Sequence, residues 1–314
     1  TTSSASDSSV GTLCVAIGRE LRARAVNVSC EEQLRERRAC SRAEMQLRRA
    51  ARSLCCCLGA WRGASSSAEA PLDATPLSRA VRLRPYGVLG TRLEASGAMV
   101  AEVSPPTDGR TAFVDPAGLH HIQPPGGPSG AGGAAGAIYR FLGIADAPAF
   151  PAAVVAAVTA TGCAKHHEYA LPPGPASYAL RHGREAPAPA APVGHAIHVV
   201  GPDLRVGAPT WDGAVAALAT AYRNALAEFD ASDLPTLRLL PISGGIFAGA
   251  FRERVPRLTR EALDAGFAQL PEATQQRLLS RERTLELCIF AEAEFEGFVR
   301  VGFHPDAGYA EANR

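Results

Sequence analysis

Glycine-rich segments that follow strand-like runs carry the most readable chemistry of this sequence. The first covers residues 130–140, reads Gly-Ala-Gly-Gly-Ala-Ala-Gly-Ala-Ile-Tyr-Arg, and follows the apolar run 111–114. Glycine lets the backbone approach a phosphate group closely, and a helix that begins in such a segment presents free N–H groups and the positive end of its dipole. The segment therefore favours an anion site, although a flexible loop would have the same composition.

A second glycine segment, residues 241–249, reads Pro-Ile-Ser-Gly-Gly-Ile-Phe-Ala-Gly and follows the strand-like run 237–240. Ser243 supplies a hydroxyl donor and Phe247 an aromatic face. In open α/β sheets, ligands bind in the crevice outside the carboxyl ends of the strands. Two such loops therefore predict a ligand crevice between residues 130–136 and 243–247.

Neither segment fits a stronger motif. No Lys-Ser/Thr pair follows the glycines as in a P-loop, and no acidic residue stands at the spacing of a dinucleotide fingerprint. His166 and His167 would point to opposite faces of a strand and could not easily share an ion, so the sequence predicts no metal site and no required cofactor. His120 and His121, just past Gly118, are the histidines best placed for acid–base chemistry near the crevice.

Alternating strand and helix patterns must position these loops. Strands are predicted at residues 81–83, 88–93, 99–103, 111–114, 168–171, 195–200, 237–240 and 285–290, and helices at 137–142, 151–161, 211–229 and 256–282. This alternation predicts an α/β fold with a mostly parallel sheet covered on both faces. Residues 172–194, rich in Pro, Gly and Ala, are expected to form an inserted surface loop.

Over residues 80–300 the sequence resembles a macro domain, the ADP-ribose-binding family. Residues 114–118 stand where the family has a strand ending in Asn-Ala-Ala-Asn, and residues 130–143 resemble its first glycine loop and helix. Residues 195–202 resemble its strand Val-Ile-His-Thr-Val-Gly-Pro, and residues 241–249 its second loop. The details are most similar to the macro domains of alphavirus-like nonstructural polyproteins. The resemblance implies a three-layer α/β/α fold with a mixed, mostly parallel sheet.

The same resemblance implies a ligand, ADP-ribose or a related nucleotide diphosphate, and assigns its contacts to both loops and to the strand end. Phe247 would shield the ribose. The other implied ligand-binding residues are Asp115, Gly118, Gly130, Gly132, Gly133, Gly136, Ala137, Ile138, Ser243, Gly244, Gly245 and Ile246.

Several positions depart from the family pattern. Gly118 stands at the second Asn, which contacts the distal ribose and is tied to hydrolysis, and Asp115 stands at the first. Ala135 replaces a common Asp, and Asp108 is the nearest carboxylate to the adenine-binding position. Because glycine cannot orient a water, the resemblance implies binding without catalysis, and no residue is assigned a catalytic role. The alternatives are a structural subunit of a large assembly with an unused pocket, and an active ADP-ribosyl hydrolase.

The composition of the chain excludes some classes of protein. The chain has 314 residues, a net charge of +1 and 46% hydrophobic residues, which argues against a wholly polyanion-binding protein. The sequence contains no run of 18 apolar residues, so it predicts no membrane-spanning helix. The charge balance is uneven: in residues 15–62 arginines outnumber glutamates by 11 to 5, and the remainder is net acidic.

We expect four parts: an Arg- and Cys-rich helical arm (1–62), a linker (63–78), the macro-like domain (79–304) and a tail (305–314). Residues 15–62 would dock on a protein partner, with nucleic acid or anionic lipid as the alternative. Most cysteines, including Cys55, Cys56 and Cys57, precede residue 60, which favours a reduced, intracellular protein over a disulfide scaffold. A first residue other than Met fits a processed chain or a polyprotein fragment.

Overall fold

The structure, a computed structural model, describes residues 72–172, 192–207 and 209–305. The arm predicted for residues 1–62 and the tail after residue 305 lie outside these ranges, as do most of the predicted linker and of the inserted loop. Contacts divide the chain into residues 1–69 and 70–314, and every described residue belongs to the second unit.

Nine strands lie in the described ranges. They are β1 (Val81–Arg84), β2 (Thr91–Leu93), β3 (Met99–Ala101), β4 (Asp108–Ala117), β5 (Ala164–Ala170), β6 (Val193–Val200), β7 (Thr236–Leu239), β8 (Thr284–Cys288) and β9 (His304–Pro305). Seven form one sheet in the order β5-β6-β4-β7-β8-β1-β9, and β2 and β3 form a separate antiparallel hairpin. Neighbours in the large sheet run parallel, except for the antiparallel edge pair β5–β6. The predicted mixed, mostly parallel sheet is confirmed.

The helices of the described ranges connect these strands. They are α1 (Pro76–Ala80), α2 (Leu119–Ile122), α3 (Gly133–Phe141), α4 (Ala152–Ala157), α5 (Trp211–Ala231), a 3-10 helix (Ile246–Arg254), α6 (Val255–Ala268), α7 (Glu272–Leu278) and α8 (Glu292–Arg300). None of them has the length and apolarity that a bilayer-crossing helix needs.

Helices cover both faces of the sheet, as the predicted three-layer α/β/α class requires. One face carries Phe113 of β4, whose ring meets Phe141 of α3 edge to face at 5.8 Å. The long helix α5 packs on β5 and β6 from the other face and also packs on α6. Burial on both sides explains why β6 reads as a nearly continuous apolar run rather than an alternating one.

The strand order of the large sheet reverses at β4. From β4 the chain passes on one side to β5 and β6, then crosses back to β7 and β8 on the other. Because β4, β6 and β7 run parallel, their carboxyl ends meet at the same edge of the sheet. The point where strand order reverses is where open α/β sheets leave a crevice.

Several element boundaries differ from the sequence expectation. Strand β4 has ten residues instead of four, because the polar start at Asp108 and the proline at position 116 hide it from a pattern of apolar residues. The helix expected over 256–282 is two helices, α6 and α7, separated at Pro271, which lacks the N–H that a continuous helix needs. The strand expected to be last, β8, is followed by α8 and β9.

The predicted domain boundaries also carry structure. Residues 76–78, expected in the linker, begin α1, and residues 193–194, expected in the inserted loop, begin β6. A reciprocal cap fixes the start of α1: the Thr75 hydroxyl accepts from the Ser78 N–H, and the Thr75 N–H donates to the Ser78 hydroxyl, both at 3.1 Å. Thr75 Oγ1 also donates to Asp264 of α6 at 2.7 Å, so this cap attaches the start of the domain to its helical layer.

Candidate functional site

A cavity of about 190 Å³ opens at the carboxyl ends of β4 and β6. Its walls come from the strand ends, the turn before β5 and the second glycine loop. The lining residues are Pro116, Ala117, Gly118, Leu119, His120, Thr161, Val200, Gly201, Asp203, Ser243 and Phe247. Gly118, Ser243 and Phe247 are thus sequence-predicted site residues that the fold brings together, whereas Thr161, Gly201 and Asp203 were not singled out as site residues from the sequence.

The second loop is fixed by buried hydrogen bonds on both sides of Pro241. The hydroxyl of Tyr222, on α5, accepts from the Ile242 N–H at 2.9 Å and donates to the Leu240 carbonyl at 3.3 Å. Ser243 Oγ donates to the Pro202 carbonyl at 2.7 Å. Every polar group in this set has a partner, so the loop is held in one conformation before any ligand arrives.

Gly201 shows how closely this loop approaches the end of β6. A Cβ at position 201 would lie 2.4 Å from Ser243 Oγ and 2.6 Å from Ile242 Cγ2. Only glycine permits that approach, and Ser243 itself sits at a φ of 57° to meet it. The wall of the cavity is therefore built by backbone packing between two loops far apart in sequence.

The far rim combines an aromatic ring with charge. The Arg205 guanidinium lies over the Phe247 ring, 4.8 Å from its centroid. Arg205 also pairs with Asp203 at 2.7 Å, and this bidentate contact lowers the pKa of the Asp203 carboxyl. A carboxylate thus faces the cavity, held ionised by an arginine that covers the aromatic wall.

The remaining predicted members of the second loop lie outside the cavity wall. Ile246 is 69% exposed and points to solvent at the rim. Gly245 is exposed, with no atom within 4 Å of the position that a Cβ would take. Gly244 packs against Pro241 and donates its N–H to the Pro241 carbonyl at 3.0 Å, which closes the turn.

The first glycine loop lies elsewhere. None of residues 130–136 lines the cavity, so the crevice expected between the two loops is formed by the second loop and the strand ends. Gly132 and Gly133 are exposed at the start of α3, where Gly132 is the N-cap residue and no side chain caps the helix. Gly130 is also exposed, at a φ of 77°.

Further along α3, the residues predicted as ligand contacts pack against the rest of the fold instead. A Cβ at Gly136 would lie 2.2 Å from the Ala131 carbonyl oxygen, so this glycine serves the fold of the loop itself. Ile138 is buried in the hydrophobic core, and Ala137 is half-buried beside it. The sequence pattern does not distinguish these packing glycines and alanines from ligand contacts.

Asp115, also predicted as a ligand contact, points into the core. Its Oδ2 lies 2.7 Å from His198 Nδ1, both side chains are fully buried, and His198 Nε2 lies 2.7 Å from the Tyr169 hydroxyl. Residues 115 and 198 are register partners on β4 and β6, which is why the two side chains share a face. The Asp115 carboxylate is therefore a structural group under the site, and it does not line the cavity.

The hydroxyl of Tyr139 completes this buried layer without a hydrogen bond of normal geometry among the described residues. Burial, together with the negative charge of Asp115, raises the pKa of Tyr139 above its usual range. Asp115 Oδ1 is likewise buried without a partner in the described structure. The two groups lie close to each other between α3 and β4, and their contact contributes to the raised pKa of Tyr139.

Asp108 lies at the opposite end of β4 from the cavity. Asp108, the nearest carboxylate to the adenine-binding position, begins β4 and caps Arg110 and Thr111. Since β4 has ten residues at roughly 3.3 Å each, Asp108 lies about 30 Å from the carboxyl end of the strand. It cannot contact a ligand held in the cavity.

Polar clusters away from the cavity are structural. His166 and His195 lie 3.2 Å apart between ring nitrogens on β5 and β6, and burial with the neighbouring His195 lowers the pKa of His166 to about 4. Glu286 binds Arg84 at 2.7 Å and Arg238 at 3.2 Å on the sheet face. In the described ranges no group of three His, Cys, Asp or Glu side chains is arranged to hold a metal ion.

The sequence and the structure were each compared with known proteins. No family model and no curated protein matches the sequence. Among solved structures, the chain is similar to an Oceanobacillus iheyensis macrodomain with ADP, at 16% identity over 66% of this chain and 88% of that one, with a TM-score of 0.38. It is similar to a Trypanosoma brucei macrodomain in complex with ADP-ribose, at 19% identity over 73% and 72%, with a TM-score of 0.39. An alphavirus P23pro-zbd structure matches at 16% identity over 62% of this chain and 22% of that one, with a TM-score of 0.34.

Proposed function

We propose that the domain binds ADP-ribose or a related nucleotide diphosphate at the cavity, and that it does so without hydrolysing the ligand. One observation carries the proposal: an open cavity at the carboxyl ends of β4 and β6, with a hydrogen-bonded glycine loop as its wall. This is the edge at which parallel sheets bind nucleotides.

The size of the cavity decides how much of the ligand it holds. About 190 Å³ is below the ~300–1,000 Å³ of sites that enclose a whole small-molecule ligand. One sugar or one phosphate group would occupy it, and the rest of the ligand would lie along the rim. The exposed side chains of Val206 and Ile246 offer an apolar surface there.

The first glycine loop is proposed to meet the diphosphate from outside the cavity. Its residues Gly130, Gly132 and Gly133 are exposed, and the first N–H groups of α3 have no carbonyl one turn earlier to bond to. Free amides and the helix dipole favour an anion at this position. We retain these three glycines as phosphate contacts and leave out Asp115, Gly136 and Ile138, which the fold buries.

The proposed absence of hydrolysis rests on two positions of the cavity wall, Gly118 and Ser243. Gly118 has no side chain to hold a sugar or orient a water, and the hydroxyl of Ser243 already donates to Pro202. Misplacing a reacting group by about 1 Å costs around 100-fold in rate. Among residues 72–172, 192–207 and 209–305, no side chain fills the cavity, which favours ligand binding over a structural subunit with a closed pocket.

Calorimetry and thermal unfolding of the full chain with ADP-ribose test the proposal. We expect saturable binding and a rise in the melting temperature, because a ligand that binds only the folded state stabilises it. Phe247→Ala, in the cavity wall, should weaken binding, whereas Met99→Ala, exposed on the separate β2–β3 hairpin, should not. No heat and no thermal shift at millimolar ligand would sink the proposal.

A turnover assay separates binding from hydrolysis. The chain at high concentration is incubated with an ADP-ribosylated protein, and released ADP-ribose is measured. We expect none above the buffer control. Release that disappears in Phe247→Ala would instead establish the hydrolase hypothesis.

A further inference from the structure

His120 occupies the space that a side chain at position 118 would fill. A Cβ built on Gly118 would lie 2.8 Å from His120 Cε1 and 3.0 Å from His120 Nδ1. These distances are shorter than van der Waals contact, so the imidazole can cover this part of the backbone only because residue 118 is glycine. His120 is also one of the residues that line the cavity.

Two polar side chains of the wall are already engaged. Ser243 Oγ donates to the Pro202 carbonyl, and Asp203 is paired with Arg205. His120 makes no hydrogen bond within the described residues, and its side chain is exposed toward the opening. Thr161, in the turn before β5, is the other lining residue with an uncommitted side-chain donor.

The neighbouring histidine is a natural contrast. The ring of His121 lies against that of His120, with centroids 4.0 Å apart and planes tilted by 42°. Its Nδ1 lies 3.0 Å from the Gly127 carbonyl oxygen, and His121 does not line the cavity. Desolvation and the adjacent His121 lower the pKa of His120, which favours the uncharged ring with one donor and one acceptor.

We propose that His120 is a specificity-determining residue of this cavity, and that its imidazole hydrogen-bonds a sugar hydroxyl of the ligand in the space left by Gly118. An uncharged ring that shares the cavity wall with the Asp203 carboxylate suits a hydroxyl better than a phosphate, because a carboxylate repels an anion and accepts from a hydroxyl. The inference rests on the proposed function and names the part of the ligand that the cavity takes.

Cavity size selects between the two sugars of ADP-ribose. The ribose of the adenosine carries a base on one side and a phosphate on the other, whereas the terminal ribose carries a single substituent. A cavity of about 190 Å³ has room for the terminal ribose and not for a ribose that carries both a base and a phosphate. ADP, which lacks the terminal ribose, is therefore the matched ligand control.

The test measures dissociation constants of ADP-ribose and ADP by calorimetry for the wild type, His120→Ala, His120→Asn and His121→Ala. We expect the wild type to prefer ADP-ribose and His120→Ala to lose about tenfold in ADP-ribose affinity while ADP changes less than about twofold, since one lost hydrogen bond is worth about that much. His120→Asn should keep part of the preference, and His121→Ala should keep all of it. Thermal unfolding shows that each variant is folded.

A double-mutant cycle adds a readout that a merely structural histidine would not move. Gly118→Ala should push the ring away and lower ADP-ribose affinity, and Gly118→Ala with His120→Ala should bind no worse than His120→Ala alone. If ADP-ribose and ADP bind the wild type but lose affinity equally in His120→Ala, the role given to His120 is wrong and the proposed function stands. If neither ligand binds the wild type, the proposed function fails first.

Discussion

The two glycine loops follow strands of the same sheet, yet the fold holds them by different means. Each has a buried tyrosine nearby: Tyr222 bonds the backbone on both sides of the second loop, whereas Tyr139, on the helix after the first loop, has no hydrogen bond of normal geometry among the described residues. The second loop lines the cavity, and the first is exposed at the start of a helix.

The difference teaches that glycine content and preorganisation are separate properties. A loop fixed before binding loses little conformational freedom when the ligand arrives, so more of its contact energy appears as affinity. We therefore expect the second loop to set affinity and the first to adjust around the diphosphate. Four pairs of substitutions, taken from the largest expected effect to the smallest, test this contrast.

We expect the largest difference in the free energy of unfolding, between variants of Tyr222 and Tyr139. Tyr222→Phe should lower the free energy of unfolding by about 3 kcal/mol, because it leaves the buried Ile242 N–H and Leu240 carbonyl unpaired. Tyr139→Phe removes a hydroxyl without a normal hydrogen bond and should change stability by less than about 1 kcal/mol. Urea unfolding curves of both variants measure this, and equal losses would remove the contrast.

Gly201→Ala comes next. Its methyl group would lie 2.4 Å from Ser243 Oγ, so the second loop must shift, and we expect a cost of about 2 kcal/mol, in the range of overpacked cores. Gly132→Ala on the first loop is the matched control, because no atom lies within 4 Å of its Cβ position. A control variant as unstable as Gly201→Ala would show that the first loop is packed as tightly.

We expect a smaller difference between the two loops in ligand affinity than in stability. Gly245→Leu and Gly132→Leu both place a side chain where the structure is open, so neither should unfold the domain. We expect ADP-ribose affinity to fall about tenfold at position 245, which is about 1.4 kcal/mol, and less than about threefold at position 132. Calorimetry gives both values, and the reverse order would make the first loop the principal binding element.

The smallest effect concerns the helix cap. Gly132 is an N-cap residue in extended conformation without a capping side chain, so Gly132→Ser should stabilise the free domain by a few tenths of a kcal/mol, about 0.3. Gly245 has a ψ of −126°, outside the extended conformation of an N-cap, and Gly245→Ser should bring no such gain. Thermal unfolding of the two serine variants, measured side by side, compares their stabilities.

The sequence predicts the fold where the pattern is long and local. Helix α5 and strand β6 are found within a few residues because an amphipathic helix of 21 residues and a buried apolar strand each leave an unambiguous pattern. Strand β4 is underestimated because its polar start and Pro116 interrupt the apolar run. Helix α8 escapes prediction because its acidic first turn masks Phe295 and Phe298, which are buried.

The site is predictable only in part, for a different reason. The composition of both glycine loops is visible in the sequence, but which one lines the cavity depends on contacts between distant segments, such as Gly201 with Ser243. The burial of Asp115 depends on the register of β4 against β6, which pairs residues 83 positions apart. No local pattern reports such a register, so Asp115 resembles a ligand contact until the sheet is assembled.

The pair of Asp115 and His198 has a consequence for how this site can change over time. Slipping β4 by one residue against β6 would turn every side chain to the opposite face and expose a buried carboxylate to apolar surroundings, so the pair penalises misalignment of the strands. Gly118 and Gly201 both lie three residues beyond it, the first directly after the end of β4 and the second directly after the end of β6. The register of β4 against β6 is therefore set by a pair that does not line the cavity, so a lining side chain such as Phe247 can vary without cost to that register.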